Sequence, residues 1–561
     1  MKSVLRLTAV AAACFAAISL QAAPASAFCG FYVGGGGAKL FNNATQVVLM
    51  REGTRTVISM QNNYEGPPAN FAMVVPVPVV LSEATVKTLP RELFTKIDAL
   101  DSPRLVEYWE QDPCPPPAPP RRYRPGGPPR PTSRAAMEDG DEAPTKRKDL
   151  GVRIEAKFVV GEYDIVILSA KDSTGLDTWL RQENYTIPEG AEPYLRPYVQ
   201  SGSKFFVAKV DPSKVKFESG MAALSPLRFH YDAENFNLPV RLGLMNAKGP
   251  QDLVVHILAR GQRYEVTNYP NVSIPTNFDV TESAKQNFGG FYAALFDETT
   301  KRHPGAVVTE YSWDAQSCDP CPVTPLGQQE LQVLGGDVLG ASLDYHSSSN
   351  GGFTITRLHA RYTKDSLGDD LHFRAAKPIT GGRELMSSAG KLEQGSKYDA
   401  TNNFQGRYSV RHPWTGPIAC KNPVRGVWGG PPGGRTEAPA VKPVHDVAFV
   451  TRGLPLPPFV AGGQSRVPDG NLLGAAAPTP ALGRVFPFVT ASSPDAGSSD
   501  APSSDDGGPS DTTSGGAAGT PPGPRGCGGC AEGGGNAGAL GASFAILAAA
   551  LRRRFRRRNA P

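Results

Sequence analysis

Recognisable catalytic signatures are missing from these 561 residues. There is no H-E-x-x-H, no G-x-S-x-G and no Walker-type phosphate loop, and Gly34 to Gly37 is not followed by the glycine, lysine and hydroxyl positions that a phosphate cradle needs. These absences take away the motif-based case for a zinc peptidase, a nucleophile-elbow hydrolase or a P-loop nucleotide enzyme. Histidine is scarce, at eight residues, and scattered. His256, inside LVVHILA, reads as a side chain on a wet or hydrogen-bonded strand face, and His359 and His372 flank Asp369 and Asp370 without a spacing that fixes a pair. Neither a metal set nor a cofactor motif emerges. The aspartates near residue 500 lack the fixed spacing and closing glutamate of a calcium loop.

The formal charge of +5 is also weaker than it looks. Lys2 and Arg6 lie at the extreme N-terminus and six arginines between Arg552 and Arg558, so the chain between them is near neutral, which argues against nucleic-acid binding.

What is present speaks first of address. Lys2 and Arg6, the apolar run Leu7 to Leu20 and Ala25-Ser26-Ala27 form the three parts of a secretory signal, with cleavage expected between Ala27 and Phe28. About 14 apolar residues at ~1.5 Å each fall short of a ~30 Å hydrocarbon core, so removal is expected rather than anchoring. At the other end, Cys527 and Cys530 precede a glycine spacer, an apolar stretch from Ala537 to Leu551 and the sequence RRRFRRR. The arginines hold that end on the cytoplasmic side and turn the body outward. This order of parts resembles the Myxo-CTERM tail of myxobacterial surface proteins. The resemblance implies recognition by a sorting protease and processing at Cys527 or Cys530. The expected partners are the secretion machinery, that protease and the membrane through the tail. An envelope or glycan partner is left open, and the expected location is the cell surface or outer envelope.

Five cysteines remain in the body: Cys29, Cys114, Cys318, Cys321 and Cys420. In an exported chain they are disulfide candidates, with an odd one over. Cys318-Asp319-Pro320-Cys321 has the spacing of a redox pair or half a zinc site, but Pro322 and Pro325 oppose the helix a redox pair needs, and no second metal pair follows.

Composition divides the chain into a signal peptide (1–27), an N-terminal strand-rich part (28–112), a Pro/Arg-rich insertion without core-forming content (113–148), a main body (149–429), a Pro/Gly/Ser/Asp-rich spacer (430–526) and the tail (527–561). Period-two alternation predicts strands at Val47 to Met50, Thr56 to Met60, Val152 to Val160, Ile165 to Leu168, Lys204 to Val210, Leu227 to Tyr231, Val240 to Leu244, Leu253 to Ala259 and Phe353 to Tyr362. Pro76 and Pro78 place Phe71 to Val80 at a sheet edge. Helices are expected at Arg91 to Leu100, Pro103 to Gln111, Gly175 to Glu183 and Ser283 to Thr300. The sum is a strand-rich α+β body of antiparallel sheets with few helices.

The body resembles a secreted bacterial family known as domain of unknown function 2330. The likeness rests on Phe28-Cys29-Gly30-Phe31-Tyr32-Val33, FAMVVPVPVV from Phe71, the segment from Glu183 to Asp211 and YSWDAQSCDPC from Tyr311, spanning about 28 to 420. It implies export and a shared fold, and carries over no catalytic residue. A non-enzymatic binding or structural role at the envelope is therefore the expectation, with a secreted hydrolase or thiol oxidoreductase of unrecognised site as the alternative.

Overall fold

Val47 to Met50 is apolar at every position rather than at alternate ones, and all four residues are buried. Such a run belongs to a strand covered on both faces, and two covered sheets organise the chain. The computed structural model describes residues 31–33, 41–65, 72–114, 151–183, 185, 187, 189–218, 221–246, 249–339, 352–384, 392–431, 441–444 and 450–474. The signal segment with Ala27 and Phe28, Cys29, the run Gly34 to Gly37, most of the Pro/Arg insertion, and the tail with Cys527 and Cys530 lie outside them.

In chain order the elements used below are β1 (Phe31–Val33), β2 (Phe41–Glu52), β3 (Arg55–Glu65), β4 (Ala72–Val77), α1 (Arg91–Asp101), β5 (Arg104–Glu110), β6 (Val152–Val160), β7 (Tyr163–Ala170), α2 (Ser173–Gln182), α3 (Glu192–Gln200), β8 (Lys204–Val210), β9 (Leu227–Asp232), β10 (Gln251–Arg260), α4 (Phe288–Arg302), β11 (Val307–Asp314), β12 (Phe353–Tyr362), β13 (Asn403–Gln405) and β14 (Arg407–His412). One antiparallel sheet has the order β1-β4-β8-β7-β6. The spine of a larger mixed sheet runs β9-β3-β2-β10-β12-β11-β13, antiparallel except where β2 meets β10. The chain is thus strand-rich α+β, with mixed as well as antiparallel pairing. Gly53 and Gly161 take positive φ at the β2–β3 and β6–β7 turns, a backbone conformation that is costly for a residue with a Cβ.

Alternation then stacks four layers. Val47, Leu49, Ile58 and Met60 of the large sheet pack on Met73, Val75, Ile165 and Phe206 of the five-stranded one. The opposite face of the small sheet, Val74, Leu168, Phe205 and Val207, is covered by Leu176, Leu180 and Leu195 of α2 and α3. On the outer face of the large sheet, Val48, Met50, Leu258 and Ile355 meet Leu93, Phe94 and Ile97 of α1, while Val308 lies under α4.

Three expectations need amending. Pro103 to Gln111 is strand β5, not helix. Its apolar Leu105, Tyr108 and Trp109 have helical spacing, but β14 on one side and Trp428–Gly429 and Lys442–Pro443 on the other complete a ladder. Val240 to Leu244 gives way to a 3₁₀ turn, Arg241–Asn246, that still buries Leu242 and Leu244. Pro76 lies in an internal strand, opposite Phe205 of β8, and among the described residues β1 pairs on the other side only with Ala72 to Val74.

The start of the compositional spacer is also part of the fold. Leu456, Phe459, Val460 and Leu473 are buried in the core under α4, Leu472–Leu473 pairs with the strand Asn271–Ser273, and Val460 bridges Val280. These four apolar residues among many prolines and glycines are enough, because each meets a surface already built by other elements.

Candidate functional site

Acidic residues at a helix C-terminus oppose the helix dipole. Yet the last turn of α1 carries Asp98 and Asp101 with no basic residue of its own. The compensating charge comes from the sheet. On β12, Arg357 stands opposite His256 of β10, and two residues on, His359 stands opposite Val254. Period two sends all three polar side chains to the face covered by α1 and α4. On β11 Glu310 is the extra residue at a register shift between Thr309 and Tyr311, and its side chain reaches the same face.

The result is a sealed ionic cluster. Arg357 Nη1 donates to Asp98 Oδ1 at 2.7 Å and Asp101 Oδ1 at 2.9 Å, and its Nε donates to Glu310 Oε2 at 2.6 Å. His256 Nδ1 lies 2.6 Å from Asp101 Oδ2. His359 spans two carboxylates, with Nδ1 2.6 Å from Glu310 Oε1 and Nε2 3.0 Å from Asp252 Oδ1, and its ring stacks on Phe296 at 3.9 Å. Tyr292 of α4 donates to Glu310. Arg361 and Arg452 both reach Asp252, and Arg452 also pairs with Asp297 at 2.6 Å. Arg357, His256, His359 and Glu310 have no solvent exposure.

Electrostatics follow from this geometry. Burial pushes the Glu310 carboxyl up, but the charges of His359 and Arg357 outweigh it and hold the group down at about 2. For His359 burial presses the pKa down, while Glu310 and Asp252 raise it above the ordinary histidine value. Asp252 is held low, its burial outweighed by His359, Arg452 and Arg361. Burial carries the Tyr292 hydroxyl well above its usual range. The cluster thus sets each of these carboxylates against an arginine or histidine at hydrogen-bond distance.

Its chemical capacity is limited by that locking. Asp98, Asp101 and His256 bring one donor atom each within 4.8 Å of one another, a spacing suited to a cation. The guanidinium of Arg357 already sits on both aspartates, so the chain provides the positive charge itself. Two hollows among the described residues, one beside Leu295, Glu298 and His303 and one beside Tyr269, Ala306 and Leu371, have room for about 10 and 20 Å³, on the order of one water each.

The cysteines fall into two groups. Cys114 and Cys420 are joined in a disulfide across 306 residues, and Cys318 is joined to Cys321. The second loop is gripped from behind, Arg104 donating to the Pro320 carbonyl and Gln405 to that of Asp319. After it, helix begins only at Gln328, in keeping with the prolines at 322 and 325. His256 is on a hydrogen-bonded face as expected, but a dry one. His359 does not meet Asp369 or Asp370; His372 does approach Asp369, at 3.7 Å. The sequence signal that was available and missed is a charged residue in mid-strand, as in LVVHILA, TRLHARY and VTEYSW.

The profile of one family, described as an uncharacterised protein conserved in bacteria (DUF2330), matches residues 23–374, and the chain belongs to that family. No curated protein and no solved structure matches it. Of the cluster, Arg452 lies beyond the matched span.

Proposed function

We propose that this member of an uncharacterised bacterial family is an exported envelope protein, displayed outward, whose body serves a binding or structural role rather than a catalytic one. The observation that carries the reading is the Cys114–Cys420 disulfide, which ties β5 to the segment after β14. Such bonds persist in oxidising compartments, the environment to which the leader at residues 1–27 sends a chain. The ionic cluster supports the non-catalytic half: an active site needs titratable side chains open to a pocket, and His256, His359 and Glu310 are paired and dry. After export, the sorting tail is removed at Cys527 or Cys530.

Mass spectrometry of protein recovered from the cell surface tests this reading. The expected result is an N-terminus at Phe28, a Cys114–Cys420 linked peptide under non-reducing conditions, and no RRRFRRR end. An intact Met1 or free thiols at Cys114 and Cys420 overturns export, a lipid on Cys14 overturns cleavage before Phe28, and a retained arginine end overturns tail processing. A thiol oxidoreductase has one observation in its favour, the exposure of Cys321 beside its bonded partner. Catalysis of insulin disulfide reduction by the purified chain, lost in Cys318→Ser, would support that second reading instead.

A further inference from the structure

Four of the largest fully buried side chains are arginines: Arg104, Arg263, Arg357 and Arg407. Arg357 meets three carboxylates and Arg263 meets Glu265. Arg104 and Arg407 have no carboxylate within hydrogen-bond reach among the described residues. They open two parallel strands, β5 and β14, directly in register, so two like charges are buried side by side.

Arg104 donates to the carbonyls of Leu100, Ser102 and Pro320 and lies over the Tyr311 ring. Arg407 donates from Nη1 to Asn277 Oδ1 at 2.9 Å and lies over the Tyr108 ring. Its Nε and Nη2 are buried and have no hydrogen-bond partner among the described residues. These two atoms form the side-on edge of the guanidinium, which takes both oxygens of a carboxylate or two of a phosphate. Elsewhere in this chain the same edge is filled: Arg383 holds both oxygens of Glu393 at 2.8 and 2.7 Å, and Arg425 both oxygens of Glu110 at 2.8 Å. Glu384 approaches Arg407, but its Oε2 stays 3.9 Å from Nη2, on a side chain that is more than half exposed. Burial and the neighbouring charges of Arg411 and Arg104 lower the Arg407 pKa to about 10, as expected for a cation short of a counter-charge.

We propose that Arg407, with Arg104 beside it, forms a binding site for a small oxyanion, a carboxylate or an inorganic phosphate, which docks on the unpartnered Nε/Nη2 edge and is entered past Glu384. The loops at Asp319-Pro320 and at Gly382 are tied to this site by Arg104 and by Gln405, which donates to Asp319 O at 2.6 Å and Gly382 O at 3.0 Å. Glu384 is the competing internal anion, so removing its charge strengthens binding of the external one.

Calorimetric titration of the full chain with sodium acetate and with inorganic phosphate, each against sodium chloride at equal ionic strength, tests the site. Saturable one-to-one binding of either anion is expected, and which one binds identifies the oxyanion. Arg407→Lys should weaken it by about tenfold or more, because an ammonium group has no fork, Arg407→Met should abolish it, and Glu384→Gln should tighten it. Should Arg407→Met fail to fold, the lysine and glutamine variants decide. Absence of saturation with both anions, or binding unchanged in Arg407→Lys, overturns the proposal. So does a Glu384→Gln protein that melts earlier and binds neither anion, which would make Glu384 the resident counter-ion.

Discussion

Arg357→Met leaves Asp98, Asp101 and Glu310 in the interior without the group that neutralises them. Arg357 makes three charge-assisted hydrogen bonds to these carboxylates. Such bonds are each worth about 1.5–3 kcal/mol, but simple addition overstates the loss, since methionine escapes the cost of burying a guanidinium. Removing one partner of a buried pair costs about 3–5 kcal/mol, and that is the expected destabilisation. Against a typical total of about 5–15 kcal/mol it is a large fraction. In urea denaturation of the full chain, a slope of about 3 kcal/mol/M turns the loss into a midpoint roughly 1–1.7 M lower. Adding Asp101→Asn and Glu310→Gln to Arg357→Met should recover part of it, because the stranded charges go. A midpoint within about 0.3 M of wild type, or a triple variant that loses stability additively, would refute the reasoning.

The raised His359 pKa contributes stability that is complete below its unfolded value of about 6.5 and is lost as pH rises through the folded one; the lowered Glu310 and Asp252 contribute stability complete above about 4.3 and lost as pH falls. Urea midpoints should therefore peak between about pH 4.5 and 6.5, with the alkaline decline flattened in His359→Gln; a profile unaltered by that change counts against the assignment. The Cys114–Cys420 bond closes a loop of 306 residues, so Cys114→Ser with Cys420→Ser should cost up to about 5 kcal/mol, read as a lower midpoint that reductant no longer shifts. A chain ending at Gly474 should melt like the full protein, whereas one ending at Pro431 loses the Arg452 bonds and uncovers the core under α4, and should melt earlier or aggregate; equal melting of the two would mean that 450–474 adds nothing.

Strands whose neighbours are close in sequence were legible from it. Val152 to Val160 falls where alternation puts it, paired with the hairpin strand that follows it, and Lys204 to Val210 is also a strand, though both of its faces are covered. β5 was not, since every neighbour that makes it a strand comes from beyond residue 400. Glu192–Gln200 was hidden by Pro193 and Pro197, tolerated here in the first turn and beside the last. The ionic cluster was illegible for a related reason. Its carboxylates come from α1, β10, α4 and β11 and its cations from β10, β12 and the 450–474 segment, and no spacing within one element links them. The body's true extent was masked by composition: proline and glycine are as frequent around Leu456 and Phe459 as in a spacer, and only a preformed surface distinguishes the two.

The single parallel joint in the spine of the large sheet sets the order in which the molecule can be completed. β2 and β3 form a local hairpin, but the other edge of β2 pairs with β10, Thr45 meeting Leu253. At about 5–20 residues per second of synthesis, that edge waits roughly 10–40 s for its partner to exist. During the wait it offers an apolar strand with open hydrogen-bonding groups, a template for pairing with other chains. Long-range closure of this kind folds slowly, so a chaperone that shields residues 41–65 until residue 260 has emerged would do more for the yield of this protein than any strengthening of its finished core.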